Sequence, residues 1–186
     1  MKSKVFNKAI EHILDLEGGF VNDPADSGGA TNWGITLGFY QSHVDPDAGP
    51  QDIRDLKRER AKELYRRFFW IPHDYAVEGY HYGDLPDRIA WLCLSFSINM
   101  GPRRCHKLLQ NALVKLGAEI DVDGWLGPST IAATRSSRNI EVVKRFAVEA
   151  LLFYRSIAEN DSSQERFIEG WFYRGISEAV ESTRNV

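Results

Sequence analysis

Phe6, Ile10 and Ile13 recur at intervals of four and three, with mostly polar residues between them. That spacing marks one apolar face and predicts a helix over residues 3–17. Glu17 is the next position on the same stripe, and Gly18-Gly19 behind it supplies a helix stop, because glycine enters the left-handed region cheaply. The same period predicts helices over 36–43, 51–69, 86–99, 102–117, 128–136, 139–160 and 164–180. Strand-like alternation is scarce. A small hairpin fits either 19–35 or 74–84, where Gly, Asn, Asp and Tyr concentrate. The predicted class is mainly α.

Asn99-Met100-Gly101-Pro102 reads as one helix stopping at a glycine and another starting at a proline. This break divides the chain into a part over 1–100 and a helical part over 101–186 expected to pack on the first. No repeat or low-complexity segment occurs, and the tail from Ser182 is expected to fray.

Glu17 is placed awkwardly for a structural carboxylate. At a helix C-terminus the dipole costs a negative charge roughly 0.3–1 kcal/mol, and partial burial adds a desolvation cost. Both favour the protonated form, which is what a general acid needs. The alternative is a glutamate whose stem reaches from the helix end to water.

Composition narrows the choices. The chain has 186 residues, 43% hydrophobic and 26% charged, a size that suits one globular domain or one with a small appendage. A net charge of -3 argues against a dedicated nucleic-acid binder. Cys93 and Cys105 make no disulfide framework and read as small buried hydrophobes of a reducing compartment. His12, His43, His73, His81 and His106 are scattered without metal spacing, so neither metal nor cofactor is expected. No apolar run is long enough to span a membrane. The N-terminus leads into an amphipathic helix instead of a signal sequence. The expected location is therefore the cytoplasm on synthesis.

The fifteen residues from Glu17 to Thr31 include four glycines along with Asn22, Asp23, Pro24 and Asp26. Such a polar, constrained loop beside a helix end suits a site. Cleavage of a glycosidic bond commonly uses two carboxyl groups, one protonating the leaving oxygen and one acting as nucleophile or activating water. Glu17 and Asp26 would supply them. Thr31 would orient a water or an intermediate, and Phe20 and Trp33 would stack on sugar faces, although core packing is the commoner fate of such rings. Asp23 also serves simply as a turn former, and Asn99 as a helix cap or a groove residue.

The run E-G-G-F-x-N-D-P-x-D-x-G-G-x-T-N-x-G-I-T, from Glu17 to Thr36, resembles the signature of glycoside hydrolase family 108. This is a family of lysozyme-like N-acetylmuramidases of phages, prophages and bacteria, some described as secretion activators. The resemblance implies a lysozyme-like helical fold with a small β-hairpin and loop at the active site, and it places the catalytic acid at Glu17. Phage-type lysozymes have a similar Glu–Asp–Thr layout. Here eight residues separate Glu17 from Asp26 and four separate Asp26 from Thr31, the second interval being one residue shorter. A second block, Asp121 to Thr130, is similar to the D-G-x-x-G-P-x-T element of small peptidoglycan-binding modules. Asp123-Gly124 as a turn and Gly127-Pro128 as a helix start explain those residues by fold alone. An EF-hand reading of this block fails, because Thr130 stands where calcium needs a bidentate glutamate. Phe153-Tyr154-Arg155 and the segment Phe167 to Arg174 also resemble the family, with Tyr173 in place of an asparagine common there.

Two basic groups remain. Residues 51–69 carry seven Lys or Arg against Asp52, Asp55, Glu59 and Glu63, which reads as a solvated face with ion pairs or as a lure for an anionic polymer. Arg103, Arg104, His106 and Lys107 admit the same two readings. Tyr75, Tyr80 and Tyr82 surround His81 in a loop that suits packing or a saccharide groove. Taken together, the resemblance implies a monomeric endolysin or prophage muramidase acting on peptidoglycan strands, without nucleic acid, membrane insertion or cofactor. Synthesised in the cytoplasm, it would reach the wall through the periplasm after release. The competing readings are a non-catalytic peptidoglycan-binding or secretion-associated protein, a lytic transglycosylase, and an α-helical nucleic-acid binder.

Overall fold

A computed structural model describes residues 2–22 and 29–184. The protein is mainly α with one small sheet. The chain divides into two compact units, Asn7–Arg67 and Met1–Phe6 with Phe68–Val186.

The first unit is built on helix α1 (Lys2–Glu17), strands β1 (Thr31–Asn32) and β2 (Ile35–Thr36), and helices α2 (Leu37–His43), α3 (Pro50–Arg54) and α4 (Arg58–Tyr65). The α1 stripe is buried at Ile10, Ile13 and Leu14, as its period predicts. The hairpin settles at 31–36, at the end of the first of the two expected segments and one residue beyond it. Thr36 caps α2, its hydroxyl accepting the Phe39 N–H.

The single helix expected over 51–69 is corrected. It is broken at residues 55–57 into α3 and α4, and a π turn follows at Arg66–Trp70. The break is stable because outside donors take the freed carbonyls. The Asn32 side-chain amide donates to the carbonyls of Ile53, Arg54 and Leu56 at 3.0, 3.2 and 3.3 Å. The charged residues of α4 mostly serve structure. Arg58 reaches Glu11 and Asp15 of α1, both at 2.7 Å, and Arg60 and Lys62 pair with Glu63 and Glu59 at (i, i+3) spacing.

The second unit centres on α5 (Asp87–Met100), which is buried on every side from Ile89 to Ser97. Helices α6 (Pro102–Lys115), α8 (Asn139–Asn160) and α9 (Ile168–Arg184) all pack on it, and α7 (Pro128–Ser136) lies against α6 and α8. Phe96 meets Phe146 edge-on at 5.1 Å, and the Trp91 indole donates to the buried Glu178 carboxylate at 2.8 Å. Gly101 (φ +82°) and Pro102 make the expected stop and restart. The C-terminal aromatic signature is mostly packing, Tyr154 stacking on Trp171 at 5.4 Å, whereas Tyr173 is exposed.

Three further expectations are corrected here. Residues 74–84 hold two short 3₁₀ turns and a parallel bridge from Ala76 to Leu126 in place of a hairpin. The helix expected at 164–180 starts at Ile168 after a 3₁₀ segment, Ser162–Phe167. The tail does not fray at Ser182, which is buried in α9 with its hydroxyl donating to the Ala179 carbonyl. Both cysteines are buried, Cys105 Sγ lying 3.5 Å from the Cys93 carbonyl. Among the described residues no helix is long and apolar enough to cross a membrane.

Candidate active site

The site grows out of the end of α1. Gly18 takes φ +75°, which stops the helix directly after Glu17. Glu17 is half-buried, one turn beyond the buried Ile13 and Leu14. The chain then runs to Val21, which bridges Thr31 through reciprocal N–H···O bonds of 2.8 Å. These bonds pin both ends of the polar loop. Asp23 and Asp26, two of the expected site residues, lie outside the described residues.

The hairpin beyond that bridge forms one wall. Thr31 faces Thr36 and Asn32 faces Ile35, which leaves a two-residue turn, Trp33-Gly34. Both turn residues have positive φ, 54° and 74°, the combination a type I′ turn requires. Gly34 adopts it cheaply. For Trp33 it costs about 1–3 kcal/mol, and three anchors hold the residue in place. Its indole N–H donates to the Leu56 carbonyl and its own carbonyl accepts the Tyr65 hydroxyl, each at 3.1 Å. The Arg58 guanidinium sits 5.3 Å from its ring centroid. The turn and the helix break at 55–57 therefore hold each other.

Gly34 lies beside the candidate acid. A Cβ at position 34 would overlap the Tyr65 hydroxyl and lie 3.0 and 3.2 Å from Cγ and Cδ of Glu17. Only a glycine lets the hairpin lie this close to the Glu17 carboxyl and the Tyr65 ring. The glutamate is thus set beside a backbone turn and a phenol and stays half open to solvent.

Cations border the same region. The Arg54 guanidinium covers the Phe20 ring at 4.2 Å. Glu11, further up α1, has its carboxyl held below the usual range by the Lys62 ammonium and then by Arg58. It stays ionised and serves the α1–α4 pairing. Among the described residues no group of three or more His, Cys, Asp or Glu is arranged to hold a metal.

The unit Asn7–Arg67 therefore carries Glu17, Phe20, Thr31 and Trp33. Asn99 belongs to the other unit, where its amide donates to the Ser95 carbonyl at 2.8 Å and its oxygen accepts from Arg174 at 2.6 Å. Sequence reasoning passed over Tyr65 and Asn32. The first follows Ala61 and Leu64 on the buried stripe of α4, a pattern that signals core but not its contact with the turn. The second lay in plain view within the motif, and its three carbonyl partners follow from the tertiary fold.

Comparisons with known proteins agree with this architecture. The profile of the Glycosyl hydrolase 108 family matches residues 10–101, and that of a Predicted Peptidoglycan domain matches residues 104–176. The solved structure of Brucella abortus SagA is similar over 96% of this chain and 93% of its own length. The two share 28% identity at a TM-score of 0.78. No curated protein matches the chain.

Proposed function

Residues 10–101 belong to glycosyl hydrolase family 108, with a peptidoglycan domain behind them, and on that footing we propose that the protein is an N-acetylmuramidase. It hydrolyses the β-1,4 bond between N-acetylmuramic acid and N-acetylglucosamine in peptidoglycan. Glu17 protonates the glycosidic oxygen, and Asp26 positions water or stabilises oxocarbenium charge. Thr31 assists that second step. Phe20, Asp23, Trp33 and Asn99 contact the glycan. The part over 1–100 carries the chemistry and the part over 101–186 holds the wall. The enzyme is synthesised in the cytoplasm and acts after release.

One observation carries this reading. The Glu17 carboxyl ends a helix against a turn that tolerates only glycine at position 34. A surface glutamate kept for solubility needs no such neighbour. A general acid does, because its proton must be held within hydrogen-bond reach of one oxygen.

The test is release of soluble muropeptides from purified sacculi by wild type, Glu17→Gln and Asp26→Asn. Glu17→Gln is expected to lose at least about 100-fold, the scale of general acid catalysis. A folded Glu17→Gln protein with wild-type activity refutes the mechanism. Full activity in Asp26→Asn removes only the second-carboxylate role. Products bearing anhydro ends, made without addition of water, would identify a lytic transglycosylase instead.

A further inference from the structure

Among the cavities in the unit that contains the peptidoglycan domain, two adjoin one aromatic pair, and neither is used by the chemistry proposed above. One encloses about 570 Å³ and is lined by Trp125, Glu119, Asp121 and Thr130 among others. The other encloses about 400 Å³ and is lined by Tyr75, Gly101, Arg103, Arg104 and Lys107 among others. Both volumes fall within the range of small-ligand sites, roughly 300–1,000 Å³. The Tyr75 and Trp125 rings, one from each cavity, stand 6.4 Å apart at 59°. The cavities thus flank one aromatic pair, with carboxylates on one side and cations on the other.

The aromatic pair is preorganised. Trp125 is 43% exposed, yet its backbone is locked. Its N–H donates to Asp123 Oδ1 at 2.8 Å, and its carbonyl accepts from the Gln110 amide at 3.0 Å. The Gln110 oxygen accepts the Gly124 N–H at 2.8 Å, and His106 Nδ1 lies 3.1 Å from the Gly124 carbonyl. Gly124 (φ +84°) rests on the Arg103 and Lys107 stems, where an added Cβ would lie 2.9 Å from Arg103 Cγ and 3.1 Å from Lys107 Cγ. The turn that carries the tryptophan is therefore clamped onto the residues that carry the cations. On the other side, Val77 N–H donates to the Leu126 carbonyl and Leu126 N–H to the Tyr75 carbonyl, at 2.9 and 2.8 Å. An exposed aromatic on so fixed a backbone costs little entropy to dock against.

Asp123 is consumed in holding the turn, its carboxylate kept below the usual range first by the Trp125 N–H. Asp121 and Glu119, both exposed, are left to face the first cavity. Arg104 already covers the Phe153 ring at 4.7 Å, so Arg103 and Lys107 are the principal cations of the second.

We infer that the paired cavities across Tyr75 and Trp125 form a subsite for a short zwitterionic peptide, the stem peptide of peptidoglycan. The inference rests on the muramidase reading for its choice of polymer. A stem of alanine, glutamate, a diamino acid and alanine carries one free ammonium and several carboxylates. The ammonium lies on the Asp121 and Glu119 side, the carboxylates lie at Arg103 and Lys107, and the backbone crosses the aromatic pair. Four extended residues reach about 13 Å, enough to cross the two rings. A bare glycan strand has no ammonium to occupy the acidic side, so the subsite reads the peptide and not the sugar.

The probe is the synthetic tetrapeptide N-acetyl-L-Ala–γ-D-Glu–meso-diaminopimelate–D-Ala, capped so that the diaminopimelate amine is its one ammonium, titrated calorimetrically into the full-length protein at low ionic strength. Wild type is expected to bind saturably. Trp125→Ala weakens binding at least about tenfold, the cost of losing a fixed aromatic anchor. Asp121→Asn and Arg103→Gln each weaken it about three- to fivefold, as exposed charge pairs do. Acetylating the diaminopimelate ammonium weakens binding to wild type but makes little further difference in Asp121→Asn. Absence of saturable binding to wild type, or unchanged affinity in all three variants, overturns the proposal. Equal affinity for acetylated and free peptide overturns it too. Glycan chains stripped of their stems by an amidase test the muramidase reading separately. If wild type cleaves them and no stem binds, only the subsite fails. If the stem binds and no chain is cleaved, only the hydrolase reading fails.

Discussion

His106 offers a titration that reports directly on the second unit. Its imidazole is buried between Tyr82, whose hydroxyl lies 2.9 Å from Nε2, and the Gly124 carbonyl, 3.1 Å from Nδ1. A carbonyl only accepts, so Nδ1 carries the proton and Nε2 accepts a hydrogen bond from the Tyr82 hydroxyl. Protonating Nε2 would turn that acceptor into a second donor aimed at a buried phenol. Burial pushes the imidazole down from 6.5 to about 4, with the Gly124 carbonyl opposing the shift. Between those values the unfolded chain binds the extra proton and the native one does not, so stability rises with pH there. The contribution is complete above about pH 6.5, falls away toward about pH 4, and is constant below. At 1.36 kcal/mol per pH unit the loss across the window is about 3 kcal/mol. Urea denaturation followed by circular dichroism at steps from about pH 7 to 4 measures it, read as a falling midpoint at constant m-value. Should the two units melt separately, the effect belongs to the transition of residues 68–186. Glu11 and Asp123, both held below their usual range by hydrogen bonds, lose their contributions only below about pH 4.5, beneath most of the histidine window. His106→Asn and His106→Gln are each less stable near pH 7 and lose the slope between pH 6.5 and 4. A wild-type protein with a flat profile there, or folded variants that keep the slope, would refute the reasoning.

The remaining predictions concern the hairpin and its supports. Gly34→Ala must place a Cβ against the Tyr65 hydroxyl and the Glu17 side chain at φ +74°; it is expected to cost about 1–3 kcal/mol in thermal unfolding and to lower muropeptide release more than tenfold in protein that is still folded. Tyr65→Phe removes the bond to the Trp33 carbonyl and should cost about 1 kcal/mol, with a kcat loss larger than any change in KM if the phenol helps to set the turn beside Glu17. Asn32→Leu removes the amide shared by three carbonyls at the α3–α4 break, of which Leu56 O keeps the Trp33 indole and Ile53 O keeps the Leu56 N–H, and is expected to destabilise by about 1–3 kcal/mol in urea titrations; a loss under 0.5 kcal/mol, on the order of an ordinary surface change, would show that water replaces the amide.

Much of this fold was legible because helical periodicity is a local property. The α1 stripe ended where Glu17 and Gly18-Gly19 said it would, and Gly101-Pro102 and Gly127-Pro128 marked their helix boundaries because glycine frees the backbone and proline fixes it without help from distant residues. The misses share one cause. The helix pattern over 51–69 was unbroken in the sequence, since nothing in Asp55-Leu56-Lys57 forbids a helix. What breaks it is the Asn32 amide and the Trp33 indole, donors more than twenty residues away that make the freed carbonyls affordable. Likewise Ala76 reads as loop until Leu126 arrives to bridge it. The candidate acid was legible for the opposite reason: Glu17 violates a local preference, carrying charge toward a helix end on an apolar stripe. Such a conflict persists only where another constraint holds it. The Gly34 turn supplies that constraint in space, and Glu17 could be picked out from sequence before the turn's contact with it could. The candidate acid stands out as a local exception, whereas the hairpin beside it is a tertiary arrangement, and substitutions at Gly34 and Asn32 therefore test the proposed site more sharply than further changes along α1.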